Sequence, residues 1–121
     1  FFHTFNAVTV SFGVRNFENL EMGMADINRV LQVGGKVVVL EFSKPTLFPI
    51  KQVYNFYFFR ILPLIGKVFS KDNSAYTYLP QSVAAFPDGN DFLKVMEKTG
   101  FSDVKWQSLG LGVCAIYTGR K

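Results

Sequence analysis

Residues 36–42 read KVVVLEF, a continuous apolar run bounded by Gly34-Gly35 in front and Ser43-Lys44-Pro45 behind. A strand with one wet face alternates polar and apolar residues. A strand without alternation needs cover on both faces, and that is the interior of a parallel sheet. Upstream, residues 7–12 (AVTVSF) form a second short run rich in β-branched and aromatic residues, closed by Gly13. Phe17, Leu20, Met24, Ile27 and Leu31 then recur at helical spacing. Asn16 or Asn19 can cap this helix, Glu18 and Glu21 favour its N-terminal end, and Gly34-Gly35 is expected to stop it. Strand, helix, strand with a crossover of this length makes the strands parallel and the connection right-handed. Ligands of such sheets bind outside the carboxyl ends of the strands, so residues 11–16 and 41–45 are expected to face one crevice.

Beyond Pro45 the pattern changes. Residues 50–69 are apolar nearly all round with Pro63 among them, which predicts a kinked or broken helical segment. Residues 53–69 contain Asn55, Arg60, Pro63 and Lys67, so they fall short of the roughly 20 largely apolar residues that span a bilayer. Residues 70–80 are polar and Tyr-bearing. Pro87-Asp88-Gly89-Asn90 reads as a turn into a helix over 91–99, closed by Gly100. Residues 104–109 and 113–118 flank Gly110-Leu111-Gly112 as an antiparallel hairpin. The order is β, α, β, helical insertion (45–88), α, β, β.

Composition narrows the chemistry. A chain of 121 residues is one domain or part of one, and 49% apolar with 18% charged residues excludes a disordered tail. Its single cysteine, Cys114, excludes an internal disulfide and suits a reducing compartment, and a lone strand cysteine is read as a small buried hydrophobe. With His3 the only histidine, a His/Cys zinc centre and a histidine triad are both excluded within the chain. His3 itself reads as a surface residue. The chain opens on Phe without signal-peptide character, so it reads as mid-protein, the C-terminal part of a longer polypeptide. The formal charge of +4 is uneven: net −1 over residues 1–35, +5 over 36–71 and zero over 72–121. The whole surplus falls on the most apolar stretch. Phe supplies 14 aromatic residues against one Trp, so an apolar wall is expected, with Phe56, Phe58 and Phe59 clustered in it.

The segments SFGVRNFEN, RVLQVGGKVVVLEFSKP, YNFYFFRILPLIG and AYTYLPQSVAAFPDG, in this order and at this spacing, resemble the C-terminal half of the ubiquinone/menaquinone biosynthesis C-methyltransferases. The resemblance covers nearly the whole chain. It implies an α/β fold, the C-terminal half of a class I (Rossmann-like) S-adenosylmethionine (SAM) methyltransferase sheet, with a substrate-side helical insertion and a terminal antiparallel hairpin. It also implies SAM as cofactor and C-methylation of a polyprenylated benzoquinol or naphthoquinol in respiratory quinone synthesis. The family's Gly-rich SAM loop and ribose-binding acid are expected before Phe1, and the chain alone is expected to be inactive. Asn6 stands where the family pattern has Asp.

Ser11 matches the family's cofactor-contacting serine, and Phe12 and Gly13 beside it are expected to border SAM. Gly13 permits a positive φ or a close backbone approach. Arg15 is the candidate for chemistry, since C-methylation needs an electron-rich ring and a fixed guanidinium stabilises a phenolate that in water forms only near pH 10. Its structural alternative is a salt bridge to Glu18 or Glu41. Glu41 can position a water or accept the proton, or simply meet an amide or an arginine at the strand end. Asn16, Tyr54, Tyr57, Tyr76 and Tyr78 are candidates for the quinol pocket, with helix capping and packing as their alternatives. No metal is called for.

A class I methyltransferase acting on another lipid or phenolic molecule stands beside this reading, as does a non-catalytic membrane-surface module built on the basic, aromatic middle segment. Nucleic acid is not an expected partner, because the cations are spaced among bulky aliphatics. The expected setting is cytoplasmic, with peripheral contact at the inner membrane surface. An exposed strand edge predicts self-association, in the extreme as a domain swap.

Overall fold

The computed structural model describes residues 5–46, 48–69 and 74–121, apart from the side chains of Ser74, Ala75 and Thr77. His3 and Lys71 lie outside the described residues. Among the described residues four strands form one mixed sheet in the order β1-β2-β4-β3. Strands β1 (Phe5–Ser11) and β2 (Leu31–Phe42) are parallel, Ala7 to Ser11 pairing with Lys36 to Leu40. Helix α1 (Leu20–Val30) makes the crossover between them. The hairpin β3 (Ser102–Leu109) and β4 (Cys114–Arg120) adds β4 antiparallel to β2, from Lys36↔Arg120 to Phe42↔Cys114. The expected order of elements and the terminal hairpin are therefore present.

Asn19 caps α1 by accepting a hydrogen bond from the Met22 amide at 3.1 Å. The Gly-Gly pair is not where the helix stops. It ends at Val30, and Leu31 is already extended (φ −77°, ψ 144°) as the first residue of β2. Leu31 is buried whether it closes a helix or opens a strand, so periodicity could not separate the two. The excess residues appear as a register shift where β1 passes from Phe5↔Leu31 to Ala7↔Lys36. On β2, Val37, Val39 and Glu41 are buried and Val38 and Leu40 on the other face are partly buried, so the described residues cover one face fully and the other in part.

Helices α1 and α5 (Asn90–Lys98) pack against each other, and Lys98 pairs with Glu21 at 3.0 Å. Met24, Val37, Val39, Phe92, Met96, Ala115 and Tyr117 make the centre of the core, completed by Val14, Leu31, Phe86 and Phe101. The Gly89 amide donates to the Tyr117 hydroxyl at 2.8 Å, so the one polar atom of this buried ring is satisfied.

Residues 50–69 form the kinked helix that Pro63 implied. Helix α2 (Ile50–Phe56) widens into a π turn over Tyr57–Ile61 and continues as α3 (Leu62–Phe69). Pro63 has no N–H for the ladder, and the wide turn just before it takes up the mismatch. The described part of the Tyr-bearing stretch is helical too: α4 spans Ser74–Ala85 with Pro80 inside, and residues 70–73 lie outside the described residues. Polar composition and an internal proline both concealed that helix.

Candidate functional site

The carboxyl ends of β1 and β2 lie side by side, with the Phe12 amide donating to Leu40 O at 2.7 Å. The chain leaves β1 through Phe12, whose φ is +56°; Gly13 has φ −119°. The left-handed residue is therefore Phe12, not the glycine. What Gly13 contributes is room, since a Cβ there would stand 3.2 Å from Val10 Cγ1. A 3₁₀ turn, Val14–Asn16, then buries Val14 and turns Arg15 back over the strand ends.

Arg15 meets Glu41 from β2. Nη1 donates to Glu41 Oε1 at 2.8 Å and to Phe12 O at 2.7 Å, and Nε donates to Ser82 Oγ of α4 at 3.3 Å. The Arg15 amide donates to Glu41 Oε2 at 3.3 Å, and the Phe42 amide to Oε1 at 3.0 Å. Glu41 is fully buried and each of its oxygens is engaged. Of the open alternatives for Arg15, the salt bridge to Glu41 is present and Glu18 takes no part in it. The guanidinium carbon also lies 5.3 Å from the Phe42 ring centroid, within cation–π range. Among the described residues Nη2 makes no hydrogen bond.

Beside Arg15 a cavity of about 440 Å³ is lined by Arg15, Glu18, Tyr78, Gln81, Ser82 and Phe86, among others. Tyr78 closes one side, its hydroxyl donating to Asn16 Oδ1 at 2.8 Å. Asn16 thus holds a tyrosine, while Asn19 holds the helix. Ser82 in turn donates to Leu79 O at 2.9 Å.

From the strand ends an aromatic wall runs into the helical segment. Phe12 and Phe42 are 4.8 Å apart, Phe42 and Phe58 6.3 Å, and Phe58 and Tyr54 4.5 Å. It reaches a groove of about 450 Å³ between α2 and the hairpin turn, lined by Pro49, Ile50, Val53, Tyr54, Tyr57, Phe58, Leu111 and Val113. Burial pushes the Tyr54 hydroxyl up, helped by Asp88 and Cys114, and among the described residues it has no hydrogen-bond partner. Burial, with Glu41 nearby, also raises the half-buried Cys114 thiol.

Ser11, Phe12, Gly13, Arg15, Asn16, Glu41 and Tyr78 are thus brought together. Tyr54 and Tyr57 lie farther along, at the apolar groove, and Tyr76 packs on α3 over Gly66, where a Cβ would stand 2.6 Å from its ring. The residues missed were Ser82, Gln81 and Phe42. The signal was there in part: Tyr78, Gln81, Ser82 and Ala85 share one face at i, i+3, i+4 and i+7 once 74–85 is read as a helix. The basic middle segment also divides on inspection. Lys44 is a strut, its Nζ donating to Ala84 O at 3.2 Å and Phe86 O at 3.0 Å and lying 3.7 Å from Asp88, where a cation meets the C-terminal end of α4.

The exposed Ser11–Gly13 turn offers a hydroxyl, an aromatic ring and an approachable backbone at the end of a parallel strand, a donor set that fits one wall of a nucleoside cofactor. Solved structures share the fold. A SAM-dependent methyltransferase of Thermotoga maritima superposes with a TM-score of 0.65 at 14% identity, over 99% of this chain and 57% of that one. Phosphoethanolamine N-methyltransferase 2 of Haemonchus contortus, in complex with SAM, gives 0.62 at 12% identity, over 99% of this chain and 34% of that one. At these identities the likeness establishes the class I methyltransferase fold alone. Sequence relatives are nearer: a demethylmenaquinone methyltransferase of Bacteroides fragilis is 47% identical over 97% of this chain and 48% of that protein. A ubiquinone/menaquinone biosynthesis C-methyltransferase of Geotalea daltonii is 44% identical over 98% of this chain and 50% of its own length. The chain spans about half the length of the curated relatives it matches. The ubiE/COQ5 methyltransferase family model matches residues 2–121, and with its strand ends, hairpin and motif order in agreement, the chain belongs to that family.

Proposed function

We propose that the protein carrying this chain transfers a methyl group from SAM to a ring carbon of a polyprenylated quinol. The observation that carries the reading is the Arg15–Glu41 pair at the ends of the two parallel strands, beside a cavity that Arg15 lines and with Nη2 unengaged among the described residues. The activities for which the relatives are named support the quinol as acceptor.

A quinol carbon becomes nucleophilic as its ring hydroxyl gives up a proton, and a phenol does so in water only near pH 10. Arg15 Nη2 is the donor that stabilises the developing phenolate. Because Glu41 sits 2.8 Å from Nη1, much of the field of the guanidinium is cancelled, and stabilisation comes from a directed N–H more than from net charge. Both Glu41 oxygens are occupied, so Glu41 acts as the positioning residue that fixes the fork, and the proton passes to water. Bound SAM supplies the electrophilic methyl, with Ser11, Phe12 and Gly13 as the residues that hold it here. Asn16 and Tyr78 bound the ring, while Tyr54 and Tyr57 belong to the groove that takes the apolar tail.

The test is methyl transfer by the natural full-length protein from radiolabelled SAM. Demethylmenaquinol, a prenylated benzoquinol and unrelated phenols would each be offered as acceptor. Label in either quinol is expected; label in the unrelated phenols alone overturns the acceptor class, and no label in any of them overturns the reaction.

A further inference from the structure

From Phe42 to Phe69 the chain has no acidic residue, yet it carries Lys44, Lys51, Arg60 and Lys67. Lys44 is spent on the end of α4, whereas Lys51, Arg60 and Lys67 form no ion pair among the described residues. The helix that carries them, residues 50–69, turns its wrong side to water. Its inner face holds Tyr54, Phe58 and Gly66, while its outer face reads Val53, Phe56, Tyr57, Arg60, Leu64, Lys67 and Val68 at spacings of three and four. Val53 is 66% exposed, Leu64 60% and Val68 67%, with Phe48 and Phe69 at 81% flanking the helix. A water-facing stripe is ordinarily polar, and isolated exposed apolar residues do not form a row.

We propose that this stripe docks on the surface of an anionic lipid bilayer, with the helix lying in the interface. Among the described residues no helix is long and apolar enough to cross a membrane, so the segment lies on the bilayer and does not span it. Charge decides between a bilayer and a protein partner. Arg60 and Lys67 stand two turns apart within the apolar row, where a dry protein interface would bury them unpaired at high cost. In a bilayer their aliphatic stems enter the apolar layer and their heads reach back to lipid phosphates. Val53 and Tyr57 also line the apolar groove, so docking lays its mouth against the bilayer. The docking does not depend on the identity of the acceptor.

The experiment is co-sedimentation of the natural full-length protein with phosphatidylcholine vesicles, with and without phosphatidylglycerol, in the absence of SAM and quinol. Binding is expected to the phosphatidylglycerol vesicles and to weaken with salt. Arg60→Gln/Lys67→Gln should lower the partition coefficient by roughly fivefold per charge, about 25-fold in all. Leu64→Ser/Val68→Ser should lower it severalfold with the melting temperature unchanged, and Lys94→Gln on α5 should leave it as it was. No binding, or equal binding to both vesicle types, overturns the proposal. It is overturned too if Leu64→Ser/Val68→Ser lowers the melting temperature or dissociates a dimer while vesicle binding persists, since the stripe is then covered by protein.

Discussion

The sheet end of the molecule and its long helical segment treat polar and apolar groups in opposite ways. At the strand ends the buried polar groups Glu41 and Tyr117 are matched, Glu41 by three N–H partners and the Tyr117 hydroxyl by the Gly89 amide, while the exposed Lys44 reaches the carbonyls closing α4. Along residues 50–69 the buried Tyr54 hydroxyl has no partner among the described residues, and the outer face is largely apolar. A matched polar site is rigid, because each group loses a hydrogen bond if it moves. An apolar face has no such geometry to keep. The first region is suited to holding one reacting group in place, the second to meeting an apolar body of variable shape.

The largest effect is expected where matching is densest. Glu41→Ala leaves the Arg15 guanidinium buried without its carboxylate, and breaking a buried pair in this way costs about 3–5 kcal/mol. Urea denaturation should show that loss; a change below about 1 kcal/mol would mean the knot is not the rigid element. Next comes Arg15→Lys, which keeps the charge and removes the fork. A single ammonium cannot serve Glu41, Phe12 O and Ser82 together and still face the ligand. Methyl transfer should fall roughly 10²–10³-fold in kcat with the KM for SAM little changed. A fall confined to KM would place Arg15 in binding alone.

These two variants also bear on why one region was legible in the sequence and the other only in part. The strand-helix-strand unit and the hairpin follow from short-range patterns, which is why Arg15 and Glu41 could be set at one crevice before any contact was known. Ser82 could not, because it depends on α4 crossing back to the strand ends, and nothing periodic marks that docking. Phe12 could not either, since glycine is the ordinary bearer of a positive φ and a glycine stood next to it. On β2 the sequence reads more than the described residues show: KVVVLEF records two apolar faces, of which the described residues cover one fully and the other in part.

Alkaline pH separates the regions less sharply. Desolvation pushes the Tyr117 hydroxyl up to about 12; the Gly89 hydrogen bond opposes the rise, and Asp88 and Glu41 add to it. An unfolded tyrosine titrates near pH 10, so the folded state holds the proton more tightly. The stabilisation is complete below about pH 10 and is lost as pH rises toward 12, by about 2–3 kcal/mol. Tyr54 moves in the same direction. Tyr117→Phe should therefore reduce the alkaline loss and Tyr54→Phe/Tyr117→Phe should remove most of it. An unchanged pH profile in the double variant would assign the loss to other groups.

Gly66→Ala asks whether the helical segment has any point of close fit. The added Cβ would stand 2.6 Å from Tyr76 Cβ, an atom that no rotamer change can move, so α3 and α4 must separate. A cost of about 2 kcal/mol is expected, against the slight gain that alanine gives at an open helical site. Stabilisation would show that α3 and α4 are as loosely fitted as the outer face.

The smallest effect is expected from Asn19→Ala, at the start of the crossover helix. Its side chain accepts from the Met22 amide at 3.1 Å in an exposed position, so the alanine variant gives up one cap and no packing. The cost should be about 1 kcal/mol, read as a shifted urea midpoint at constant slope. Asn19 is exposed yet stands only four residues beyond Arg15. If methyl transfer survives unchanged, Arg15 is held by Glu41, Ser82 and Phe12 O alone, and the sheet end fixes its reacting group without help from the helix that follows. If transfer falls by more than the lost stability explains, the cap also orients the 3₁₀ turn, and the rigid region extends from the strand ends into α1.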